Sequence, residues 1–233
     1  MSPTDQRPAF ALAPGVPEQV ADYLQAQIVR GELAPGERIA EARVTEALNV
    51  SRGPVREALH RLAARHLVVL EPRRGARVTS FSAEDARGLF DVYGALVTRL
   101  AERVAERIAA GHSKPVQVLL ADLRARLHAA GDAGDTFEVL AICDTFLQKG
   151  AEVVHNVYLG EMLARLAPAF GRAHYLSLAH TTDSTADYIR FVDQLIETVS
   201  TGQHADIPRI VSDYARKQIA VIEMIFADAA SNS

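Results

Sequence analysis

The sequence predicts a mainly α-helical protein in two parts, an N-terminal unit of three helices plus a β-hairpin and a C-terminal all-α helical bundle of six to seven helices. Three observations carry this. Apolar residues recur at helical spacing through most of the 233 residues. Strand-like runs are confined to Leu67 to Leu70 and Ala76 to Thr79, with a turn segment between them. After residue 80 there is no strand pattern, internal repeat or low-complexity stretch, only helical stripes broken by short polar or glycine-bearing segments. The expected divisions are a flexible N-terminus over 1–15, a first domain over 16–80, a helical domain over 81–228 and a tail over 229–233.

The first helix is expected from Pro17 to Arg30, on the stripe Val20, Tyr23, Leu24, Ile28 and Val29, and it stops at Gly31. Pro35 and Gly36 then turn the chain. A second helix runs from about Glu41 to Leu48, and Asn49-Val50 form a tight turn. Ser51 is a suitable N-cap for the third helix, and Pro54 fits its first turn, where a missing N–H costs little. Val55, Leu59 and Leu62 share the face turned to the core. The segment Glu71-Pro72-Arg73-Arg74-Gly75 is the tip of the hairpin that follows.

Ser82, with Asp85 three residues on, opens a long helix. Its stripe is Leu89, Val92, Leu96, Leu100, Val104 and Ile108, and it ends at Gly111. Further helices are expected over 114–130, 135–154, 156–179, 183–201 and 205–228. The breaks fall at Gly131-Asp132-Ala133-Gly134, His155-Asn156, Thr181-Thr182 and Gly202-Gln203.

Two helices about a tight turn, with arginines at the start of the second and a basic hairpin directly after, form a winged helix-turn-helix, the arrangement that presents side chains to the DNA major groove. Arg52 and Arg56 lie one turn apart on one face of the third helix. Ser51, Gly53 and the free N–H groups of that helix start form a site suited to a phosphate. Arg43 on the preceding helix, and Arg73, Arg74, Gly75 and Arg77 around the hairpin, complete the candidate contacts with backbone or minor groove. Charge supports the division: residues 1–80 hold eleven arginines against nine carboxylates, a net of +2, whereas the remainder has a net of −6. Arginine is the side chain suited to bidentate contact with guanine edges and phosphates.

The stretch GERIAEARVTEALNVSRGPVREALHRLAARHLVVLEPRRGARV closely resembles the winged-helix domain of GntR-family transcriptional regulators, above all in VSRGPVREALHRL and PRRGARV. The resemblance implies a homodimer on a near-palindromic double-stranded DNA operator, with Arg52 and Arg56 in base- and phosphate-contacting roles. Gly53 stands where the family commonly has threonine. The helical remainder, opened by FSAEDARGLFDVYGALV, resembles the FadR-type effector domain (the FCD fold) of that family. It implies a ligand-responsive regulator, most often a repressor released by a small-molecule effector.

Many members of that group resemble one another in a metal site of one aspartate and several histidines, and this chain departs from it. Matched by Phe146 and Asn156, Cys143 stands at the aspartate and Leu147 at a histidine. Val192 and Tyr214 fall at the other two histidines, and Asp144 is one residue off register. Members also often carry an Arg/Glu pair on the first effector helix, where this chain has Tyr93 and Val97. The expectation is a metal-free pocket with no cofactor, lined by Tyr93, Val97, Cys143, Leu147, Val192 and Tyr214 and suited to a fatty-acyl-like, aromatic or terpenoid effector. Arg172 and His174 are the candidates for an acidic head group. Two alternatives stand beside this: the same apolar positions as packed core without a cavity, and a metal-dependent carboxylate sensor with an atypical site.

Enzyme chemistry finds little support: there is no nucleophile elbow, glycine-rich phosphate loop or HExxH pattern. No apolar run approaches the length of a membrane span. The single Cys143 forms no internal disulfide, and without a convincing signal peptide the expected compartment is the cytoplasm.

Overall fold

The computed structural model describes residues 15–231 apart from 73, 112, 181, 182, 202 and 203. The expected flexible N-terminus up to residue 14, Arg73 at the hairpin tip, the breaks at 181–182 and 202–203 and the last two tail residues lie outside the described residues.

The N-terminal unit comprises α1 (Val16–Val29), β1 (Arg38–Ile39), α2 (Glu41–Leu48), α3 (Arg52–Ala64), β2 (Val68–Glu71) and β3 (Gly75–Val78). Its core joins Val20, Leu24 and Ile28 of α1 to Val55, Leu59 and Leu62 of α3 and to Leu67, Ala76 and Val78 of the sheet. Tyr23, expected in the α1 stripe, is 45% exposed. The expected two-stranded hairpin is a three-stranded antiparallel sheet of order β1-β3-β2. The segment read as a plain turn contributes β1, with Arg38 opposite Arg77 and Ile39 opposite Ala76. Asn49 closes α2 in the left-handed conformation, φ 51°, as the tight turn requires. Ser51 occupies the N-cap of α3 with extended backbone, but its side chain makes no capping hydrogen bond.

Among the described residues six further helices follow: α4 (Ala83–Ala109), α5 (Ser113–Asp132), α6 (Thr136–Val153), α7 (Val157–His180), α8 (Ser184–Thr201) and α9 (Ile207–Ser231), with a 3-10 turn at His204–Asp206 before the last. The start of α4 is a full capping box, Ser82 Oγ accepting from the Asp85 amide at 3.1 Å and Asp85 Oδ2 from the Ser82 amide at 2.8 Å. Asp135 caps α6 through the Glu138 amide, and Asn156 caps α7 through the Leu159 amide. The helix α5 reaches Asp132, two residues past the expected end, and α9 continues to Ser231 through part of the expected tail.

The expected stripe of α4 is rotated. Leu100 and Val104 are buried, but Val92 is 54% exposed and the buried face runs through Ala86, Phe90 and Tyr93. A helix 27 residues long packs against several neighbours, so more than one of its faces is apolar and spacing alone does not choose between them.

The two units touch through named contacts. The Arg30 guanidinium at the end of α1 lies over the Phe137 ring of α6, 4.4 Å from its centroid. In the connection 79–82, the Thr79 amide donates to Leu67 O at 2.9 Å, while the Thr79 carbonyl accepts from Arg172 Nη1 of α7. Phe81 packs edge-on against Phe226 of α9, and Arg172 stacks on the Phe81 ring.

Candidate functional site

Between α3 and the wing runs an open groove lined by Arg38, Arg52, Arg56 and Arg74, with Glu41, Glu71 and Gly75. Helix α3 reaches it because Val55, Ala58, Leu59 and Leu62 are anchored in the core, leaving Arg52 and Arg56 on the outward side. Ser51 and Gly53 are exposed at its start, and the absent Ser51 cap leaves the first amides of the helix open to an anion. Arg56 is ion-paired, its Nε 2.9 Å from the Glu41 carboxylate. Arg43 is exposed on α2 but does not line the groove.

The wing is held in shape by arginines. Arg38 Nε donates to Arg74 O at 2.8 Å, a role its sequence position does not reveal. Arg77, a candidate for backbone or minor-groove contact, binds the Glu71 carboxylate at 2.9 Å and donates to Gly36 O at 2.7 Å. Arg77 and its neighbours hold the Glu71 carboxyl below its usual range. Gly75 is demanded by geometry: φ is +89°, and a Cβ there would lie 2.7 Å from Ile39 O.

Tyr93 and Val97 from α4, Cys143 and Leu147 from α6, His174 from α7, Val192 from α8 and Tyr214 from α9 surround one cavity of about 150 Å³. Arg172 does not join them. It is 7% exposed, its Nη1 donating to the Thr79 carbonyl and its guanidinium lying on Phe81 while Nη2 is buried without a partner, because it leaves α7 about 200° round the helix from His174. His180, at the exposed end of α7, is also outside the cavity.

The cavity walls are aromatic. Tyr93 stacks on Phe170 at 4.0 Å and Phe191 on Tyr214 at 4.1 Å, with His174 edge-on to Phe90 and Tyr188. His174 Nε2 is 2.6 Å from the Tyr214 hydroxyl, and its buried Nδ1 has no partner. Burial pulls the imidazole down to about 3, so the ring is neutral. Burial likewise pushes the Cys143 thiol up to about 12. Burial holds the hydroxyls of Tyr93, Tyr188 and Tyr214 in their neutral form. Asp144 does not line the cavity; its buried Oδ1 is unpartnered and its carboxyl is raised by burial. Tyr188, Phe170 and Phe90 were missed from sequence. Tyr188 and Phe170 sit four residues before Val192 and His174, and Phe90 three before Tyr93, a helical spacing that could have found them.

Leu147 and Val192, at two of the positions where the family's metal-bearing members have histidines, have no donor atom for a metal. Among the described residues no three His, Cys, Asp or Glu side chains are grouped to hold an ion.

A helix-turn-helix whose second helix fronts an arginine-lined groove beside a wing, joined to a helical domain, defines a DNA-binding transcriptional regulator rather than an enzyme. The family of bacterial regulatory proteins described as gntR matches residues 17–78, from α1 to the end of the wing. Residues 17–78 of the chain therefore form a GntR-type helix-turn-helix domain. It is 28% identical over 169 residues to the uncharacterized HTH-type transcriptional regulator YdfH of Escherichia coli O6:H1, and 28% identical over 167 residues to the HTH-type transcriptional repressor RspR of E. coli K12. Each match covers 72% of this chain and 72% of the relative. The fold is shared with E. coli McbR/YncC, with a TM-score of 0.75 at 21% identity, covering 91% of this chain and 99% of that one. A putative GntR regulator from Rhodococcus sp. RHA1 has the same fold, with a TM-score of 0.68 at 20% identity, over 88% and 96% of the two chains. Among the described residues no helix is long and apolar enough to cross a membrane.

Proposed function

We propose that this regulator acts in the cytoplasm as a homodimer that grips a near-palindromic operator through α3 and the wing, and that a small apolar effector, bound without metal in a FadR-type helical domain, releases it. The observation that carries the effector half is the aromatic cavity at the meeting of α4, α6, α7, α8 and α9, on the same helix that reaches the wing connection through Arg172. A molecule that shifts α7 changes the hold on Thr79 and with it the spacing of two DNA-binding heads. The coupling is reciprocal: the effector weakens operator binding by the factor by which operator weakens effector binding. The sequence of a relative named a repressor supports the negative sign.

The test joins two measurements on the full chain. Protein purified without chelator should carry no stoichiometric transition metal. A thermal-shift series of acyl, aromatic and carboxylate compounds should find stabilisation by apolar members, and the stabilising compound should lower operator affinity in fluorescence anisotropy. A tightly held metal, or an effector that leaves operator affinity unchanged, overturns the reading.

A further inference from the structure

Resting on the effector-cavity reading above, we infer that the effector is a slender, uncharged molecule: an aliphatic chain of about six to eight non-hydrogen atoms whose polar end meets the Tyr93 hydroxyl.

Shape comes first. The α4 residues that line the cavity run from Phe90 to Val104, about 21 Å along the helix, and those of α8 run from Tyr188 to Val199, about 16 Å. Helix α6 runs alongside α4 in the same direction. Cys143 is close enough to Tyr93 to perturb its hydroxyl, and seven residues further on a Cβ at Gly150 would lie 3.3 Å from the Leu100 side chain. A space of about 150 Å³ drawn out over such a length is a slot about one chain wide. That volume accommodates a guest of about benzene's size, so the chain is short.

The slot has two unlike ends. The phenols of Tyr93, Tyr188 and Tyr214 gather round Cys143 at one of them. Leu100, Val104, Val116 and Val199 belong to one apolar cluster and close the other. Tyr214 is engaged by His174 Nε2 at 2.6 Å. Tyr93 lines the cavity, is 3% exposed, and its hydroxyl has no hydrogen-bond partner among the described residues. A buried hydroxyl left unpaired is unfavourable, and a guest oxygen relieves it. The guest therefore lies with its polar end beside Tyr93 and its tail towards Val104.

Charge completes the class. Among the described residues no Asp, Glu, Lys or Arg lines the cavity, and the His174 ring is neutral. A carboxylate or ammonium head would be buried there without a counter-charge, which is strongly unfavourable. A neutral head such as an alcohol, which donates or accepts as the phenol requires, has no such cost.

Isothermal titration calorimetry on the full-length protein tests this with 1-hexanol, hexanoate, hexylammonium and benzyl alcohol. 1-Hexanol should bind saturably, and the two charged chains at least about tenfold more weakly. Benzyl alcohol, similar in atom count but compact, should also be at least about tenfold weaker. Tyr93→Phe keeps the ring that stacks on Phe170 and removes only the hydroxyl, so its 1-hexanol affinity should fall about three- to tenfold. The parent-protein series stands as a test even if that variant does not fold. Hexanoate, hexylammonium or benzyl alcohol binding as well as 1-hexanol overturns the inference while leaving an effector cavity in place. Undiminished 1-hexanol affinity in Tyr93→Phe overturns the placement of the polar end. No binding by any of the four overturns both the inference and the cavity reading, and operator binding, measured separately, still reports on the DNA-binding half.

Discussion

Arg56 and Glu41 join the two helices of the DNA-binding motif through a 2.9 Å ion pair, on the face of the groove between α3 and the wing. Arg52, one turn earlier, has no ion-pair partner among the described residues. The two arginines therefore differ in readiness: Arg52 is available, whereas Arg56 exchanges a carboxylate for a phosphate or base.

Arg52→Ala should weaken operator binding by about 1–3 kcal/mol if the side chain reads a base. Thermal stability should stay within about 0.5 kcal/mol, because the residue is exposed. Anisotropy titration at matched salt measures the first effect, and unchanged affinity would place the reading helix elsewhere.

Glu41→Gln should act in the opposite direction. It removes a negative charge facing DNA and frees Arg56, so affinity should rise several-fold at low salt and the gain should shrink as salt rises. An exposed pair of this kind contributes at most about 1 kcal/mol to folding, so stability should barely change. Affinity that falls in Glu41→Gln would mean the pair orients Arg56 for contact.

Gly75→Ala tests the wing separately from its charges. The added methyl meets Ile39 O at 2.7 Å and the backbone must hold φ +89°. The cost should be about 1–3 kcal/mol, expressed as faster amide exchange in β1 and β3 and weaker operator binding. Native-like exchange would show that the sheet relaxes around the methyl.

Arg172→Met removes a charge-assisted hydrogen bond from the Thr79 carbonyl while keeping much of the packing on Phe81. Stability should fall by about 1–3 kcal/mol, and amides 79–82 should exchange faster than in the parent protein. A uniform change across both domains, with no local signal there, would argue against Arg172 as the tie between them.

His174 sets a pH dependence. Its folded value lies near 3, below the usual 6.5, so the unfolded chain takes up a proton that the folded chain refuses. Stability is thus retained above about pH 6.5 and lost as pH falls, by about 2 kcal/mol at about pH 5. His174→Gln should flatten this part of the profile in thermal melts. An unchanged slope between pH 7 and pH 5 would mean that another group carries it.

Much of this architecture is written in local sequence. The α3 face Val55, Leu59 and Leu62, the Asn49 turn and the Ser82–Asp85 capping box follow from helical spacing and capping chemistry, and the structure has them. The strand β1 escaped because two residues carry no periodicity; it exists only through pairing with β3. Val92 was misplaced because a long helix with several apolar faces fixes its orientation by tertiary packing. Arg172 and His174 are two residues apart, and sequence alone does not say which of them turns inward. The Arg77–Glu71 pair shows the same limit: an arginine at a wing is readable, but its commitment to a neighbouring strand is not.

The uncharged lining of the cavity has a kinetic and ionic consequence. Operator binding through arginines releases counterions and weakens steeply with salt. Capture of a neutral guest by neutral walls feels no such field, and its rate and affinity should be nearly indifferent to ionic strength. The two ends of the molecule therefore answer different solvents: raised salt loosens the DNA grip while leaving the sensor untuned, so the effector concentration needed for release should drop as ionic strength climbs.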